Sequence, residues 1–134
     1  MFRKAISTIA ILATFSPAFA GSSTPSAALQ AYVKTVAAAT SWSQITPLMS
    51  DAANSKLSAL SAADQKGMLG FISGIRADQT DFRIVSEEIN GIKATIHATG
   101  CLDGEAIDET TQLEHEAGTW KVRKVNMGQD GKKC

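Results

Sequence analysis

Helices first and a curved four-stranded antiparallel sheet second, an α+β arrangement, is what the sequence predicts, on three observations. Leu29, Tyr32, Val33 and Val36 recur at i, i+3, i+4 and i+7, the spacing of one helical face. Asn90-Gly91 stands between two runs rich in alternating apolar residues, the strongest short signal of a β-hairpin. A second pair of alternating runs flanks Ala117-Gly118. The patterning therefore changes from helical to extended period, and the change falls after Asp81.

The chain opens with the three parts of a secretory signal. Arg3 and Lys4 are followed by the apolar run Ala5 to Phe15, then by Pro17 and the small residues Ala18 and Ala20. That run is too short to cross a bilayer comfortably. Cleavage after Ala20 is expected, with residues 1–20 as signal peptide, residues 21–134 as a single domain, and the product periplasmic or secreted. The full chain carries 13 basic and 13 acidic residues, and losing Arg3 and Lys4 leaves the acidic side ahead by two. Such a balance excludes nucleic-acid binding through a strongly basic field. Nothing later in the chain resembles a membrane span.

After a small, polar lead-in from Gly21 to Ser26, Thr24 or Ser26 is placed to cap the first helix, with Pro25 suited to an early position. That helix should end near Thr40. Trp42, Ile45, Leu48 and Met49 again fit a helical face, but Pro47 disfavours helical geometry at Thr46, so short broken turns are expected. Asp51 to Leu60 reads as a short helix or packed loop. Ser61 and Asp64 have the spacing of a capping box. The helix they open should turn Met68, Leu69, Ile72 and Ile75 inward, while Gly67, Gly70 and Gly74 leave room for a close neighbour.

A two-residue Asn90-Gly91 loop sets Ile89 opposite Ile92, Glu88 opposite Lys93, Val85 opposite Ile96 and His97 opposite Ile84. Ile92, Ala94, Ile96 and Ala98 then form the inward face. The second hairpin should run from Glu105 to Glu114 and from Thr119 to Met127. It puts Leu113, Trp120 and Val122 on one face together with Ile107, Glu109, Thr111 and Lys124. A polar tail follows to Cys134.

Cys101 and Cys134 are the only cysteines. In an oxidising compartment such a pair in a small domain is expected as a disulfide. His97 and His115 lack the tight ligand pairs of a structural zinc site, so no metal is expected. In a meander the second and fourth strands finish at the same end of the sheet, and the seven residues after Met127 can span the two intervening strand spacings of roughly 10 Å.

The element order, with Ala27-Ala28-Leu29-Gln30-Ala31-Tyr32-Val33, the stretch from Trp42 to Ser50, Glu87 to Ala94 and Gly118-Thr119-Trp120-Lys121-Val122, resembles the NTF2-like (cystatin-like α+β cone) superfamily. Within it, the resemblance is to small exported lumazine-binding-like domains. It implies a curved sheet wrapped on helices, a pocket at the open end of the cone, and dimer formation through the outer sheet face in some members. Fold alone does not choose a function. The motif of the ketosteroid-isomerase type does not map onto these residues, so no catalytic residue is assigned.

Candidate ligand-binding residues are Tyr32, Trp42, Glu109, Thr111, Trp120 and Lys124. Tyr32 offers a hydroxyl, and the two tryptophans offer flat apolar surface, though all three also suit plain core packing. Glu109, Thr111 and Lys124 are polar residues on an apolar face. They either grip a polar group at the pocket mouth, or form a Glu109–Lys124 ion pair at the sheet margin, or a bulge turns Lys124 outward and Val125 inward. Nucleotide-binding and hydrolase signatures are absent, and no cofactor is expected. The leading expectation is a non-catalytic exported domain binding a small apolar or amphipathic ligand, or a protein partner, through the cone pocket. The alternatives are a small-substrate isomerase or hydratase using Glu109 with Tyr32, and an interaction or inhibitor module using the outer sheet face.

Overall fold

The computed structural model describes residues 24–134. The expected signal segment and the first lead-in residues lie outside the described residues. Helix α1 spans Pro25–Ala38, with the Thr24 side chain accepting from the Ala27 N–H and Pro25 in the first turn. Two 3-10 turns follow, Trp42–Gln44 and Thr46–Leu48, the short broken turns expected around Pro47. Helices α2 (Asp51–Ser58) and α3 (Ala62–Asp78) are capped by Ser50 and Ser61, whose side chains accept from Ala53 and Asp64 N–H groups. Strands β1 (Thr80–Asn90), β2 (Lys93–Leu102), β3 (Glu105–Glu116) and β4 (Thr119–Lys133) make one antiparallel sheet in the order β1-β2-β3-β4.

The turns carry the fold's backbone chemistry. Asp103-Gly104 and Ala117-Gly118 each have positive φ at both residues, as a two-residue type I′ loop requires. The first hairpin turns one residue later than expected. Gly91 alone has positive φ, Asn90 pairs with Lys93, and Ile89 faces Ala94 instead of Ile92. The Ile92 carbonyl accepts from the His115 N–H at 2.7 Å, which holds Ile92 in the turn, and its side chain is exposed. Glu88 consequently faces Thr95, and Ile96 faces Glu87. Val85 is the extra residue of a bulge between Ile84 and Ser86, so it is exposed and His97 faces Ser86.

The inward face of the sheet is as the alternation predicts at Ala94, Ile96, Ala98, Ile107, Leu113, Trp120 and Val122, all buried. Leu29, Tyr32 and Val36 of α1, with Ile45, pack into it. A second bulge, at Arg123, lets Gln112 face Lys124 and Leu113 face Val122. Lys124 is thereby exposed and Val125 packs against the core: of the alternatives for this face, the bulge that turns Lys124 outward forms, and the Lys124 ion pair with Glu109 does not. Beyond Met127 the expected polar tail is strand instead, beside β3. Its end is held by the Cys101–Cys134 disulfide, with Cα atoms 5.9 Å apart, and by the Cys134 N–H donating to the Gly104 carbonyl.

Helix α3 packs along α1 and stands off the sheet. Met68, expected inward, is 42% exposed. A Cβ at Gly67, Gly70 or Gly74 would meet nothing, so these glycines do not serve the close packing their spacing suggests.

Candidate functional site

The gap between α3 and the far half of the sheet is a cavity of about 400 Å³. Its wall is Tyr32 and Val36 from α1, Phe71, Ile72, Ile75 and Arg76 from α3, and Leu102, Ile107, Val125, Met127, Gly128 and Gln129 from the strands. Phe71, 68% exposed, and Met127, 37% exposed, mark where it meets solvent.

Arg76 spans from helix to sheet. It sits in the last turn of α3, where a cation suits the helix dipole. Its Nη1 and Nη2 donate to Glu109 Oε2 and Oε1, both at 2.7 Å, and Nη1 also donates to Gln79 Oε1 at 3.0 Å. Thr111 Oγ1, two residues along the same strand face, donates to Glu109 Oε1 at 3.0 Å. The paired side chains are only 3% and 1% exposed. The guanidinium also lies 5.9 Å from the centre of the Phe82 ring. Gly100 belongs to this arrangement, because a Cβ there would strike the Gln79 side chain that receives Arg76.

Tyr32 faces the same space. Burial pushes its phenol pKa above the ordinary value; the positive charge of Arg76 partly offsets this, and Glu109 adds to it. Its hydroxyl has no hydrogen-bond partner among the described residues and remains a protonated donor near neutral pH.

Of the six candidate ligand-binding residues, only Tyr32 lines the cavity. Glu109 and Thr111 lie behind Arg76, and Lys124 is exposed outside the cavity wall. Trp42 donates its indole N–H to the Gln65 carbonyl at 2.7 Å, and Trp120 stacks edge-on against His115, so both belong to the closed end of the core. Arg76 is the residue the sequence reading missed. Its signal was its place seven after Leu69 and four after Ile72, a charge on the helix's apolar stripe.

No family model and no curated protein matches the chain. Among solved structures it is similar to an NTF2-like protein of unknown function from Shewanella baltica OS155. The TM-score is 0.53 at 14% identity, over 80% of this chain and 91% of that one. An NTF-2 like protein of unknown function from Silicibacter pomeroyi DSS-3 aligns with a TM-score of 0.46 at 13% identity, over 78% of this chain and 91% of that one. Together with the helices-then-meander topology, the first likeness shows that this chain has the NTF2-like fold.

Proposed function

We propose that this chain is an exported binding domain that takes one small amphipathic molecule into the open end of the cone without transforming it. The observation that carries this reading is the cavity itself: an apolar wall with a few convergent polar groups, the usual make-up of a small-molecule site. Locking Glu109 between Arg76 and Thr111, away from the cavity wall, weighs against its use as a general base. The disulfide supports an oxidising compartment, and no helix of the described residues is long and apolar enough to cross a membrane.

Fluorescence titration with the neutral probe N-phenyl-1-naphthylamine tests the binding reading. One saturable site is expected in the native protein, lost in Ile75→Trp, where the larger side chain fills the cavity. A titration without saturation, or one unaffected by Ile75→Trp, contradicts it. N-terminal sequencing of the protein recovered outside the cytoplasm tests export: Gly21 is the expected first residue, and Met1 contradicts cleavage.

A further inference from the structure

A guanidinium has five N–H donors in a fixed plane. In Arg76, two of them go to Glu109 and one to Gln79. The Nε–H and the second Nη2–H, which share one edge of the plane, have no acceptor among the described residues, and Arg76 lines the cavity. The unpartnered Tyr32 hydroxyl lines it too. The polar part of this wall is therefore rich in donors, and the missing component is an acceptor on the ligand.

Charge narrows the ligand further. Arg76 is already neutralised by Glu109, and among the described residues no other acidic or basic side chain lines the cavity. A bound carboxylate would be a third, uncompensated charge in an apolar enclosure, where such a charge is strongly disfavoured. A carbonyl oxygen satisfies the same donors without adding charge. We infer that Glu109 sets the charge class of the ligand: by neutralising Arg76 it makes this cavity a site for an uncharged carbonyl compound, such as an ester, amide or ketone, rather than for an organic anion. The inference rests on the binding reading above and makes Glu109 a specificity-determining residue that acts through Arg76.

Competition against bound N-phenyl-1-naphthylamine at pH 7 separates the two claims, using methyl octanoate and octanoate, which share a chain and differ in charge. In the native protein the ester should displace the probe at a concentration about tenfold or more below that of the acid, an equilibrium preference of about 1.4 kcal/mol or more. Glu109→Gln leaves Arg76 uncompensated and should reverse that order, with folding checked by circular dichroism. If Glu109→Gln does not fold, the native protein at a pH low enough to protonate octanoic acid decides instead, and the neutral acid should then compete as the ester does. Equal competition at pH 7, preference for octanoate in the native protein, or no gain on protonating the acid overturns the charge assignment while leaving probe binding intact. Failure of the probe itself to bind overturns the binding reading, and this inference with it.

Discussion

The two ends of the sheet's concave face are made from the same strands by the same alternation, yet one is filled and the other hollow. At the closed end Leu113, Trp120 and Val122 meet Leu29 and Ile45, and the space is taken up by side chains. At the open end Ile107 and Val125 point the same way, but α3 stands off, and its Ile72 and Ile75 face them across open space. What crosses the gap is one long charged side chain, Arg76, reaching Glu109. The difference teaches that strand pattern fixes which residues face inward, whereas the opposing helix decides whether that face is packed or becomes a cavity.

The most forceful way to break this comparison is to remove the cross-piece. Arg76→Met strands Glu109 among apolar neighbours and should cost about 3–5 kcal/mol in urea denaturation. Adding Glu109→Met should recover most of that loss, because it removes the uncompensated charge. A double variant as unstable as the single one would mean that the pair is needed for something other than charge balance.

Next is the disulfide, which belongs to the open end alone. Residues 128–133 are exposed and carry no large apolar side chain, so little besides backbone pairing and Cys134 holds them. Cys134→Ser should cost about 3–4 kcal/mol on the chain-entropy account of a loop this long. Hydrogen exchange should rise first at 128–133, leaving 119–125 protected. Uniform loss of protection along β4 would instead make the disulfide a support of both ends.

Tyr32 sharpens the comparison by pH. It is the only tyrosine, so phenolate absorbance reports the cavity wall directly. Its folded pKa lies above the unfolded value of about 10, so the folded state holds its proton longer. The resulting stability is present below about pH 10 and is lost as pH rises through the folded pKa. Tyr32→Phe should flatten that alkaline fall, and a titration midpoint at the ordinary phenol value contradicts the burial account.

The smallest effect has the opposite sign. Gly70→Ala on α3 enters open space and should stabilise by about 0.5–1 kcal/mol through helix propensity. Destabilisation there would reveal a neighbour over α3.

Much of this was legible in the sequence, and the rest was hidden for identifiable reasons. Helix caps, the helix-to-strand switch and the inward face at Ala94, Ile96, Leu113 and Trp120 follow from local chemistry, and the cysteine pairing from there being only two cysteines to pair. The bulge at Val85 is not local: it is set by which neighbours reach the core, so the His97 position inferred from strict alternation moved, whereas the bulge at Arg123 was signalled by a lysine falling on an apolar face. Glu109 stood out as a charge on an inward face. Its partner carried the same signal on α3, but pairing residues 33 apart requires knowing that the last turn of that helix crosses β3.

The most direct measurement is a methyl nuclear-magnetic-resonance titration of isoleucine-, leucine- and valine-labelled protein with methyl octanoate. Shifts should be confined to Val36, Ile72, Ile75, Leu102, Ile107 and Val125, with Ile45, Leu113 and Val122 unmoved. Shifts centred on the closed end, on exposed Val85, Ile89 and Ile92, or on no methyl at all would contradict the account.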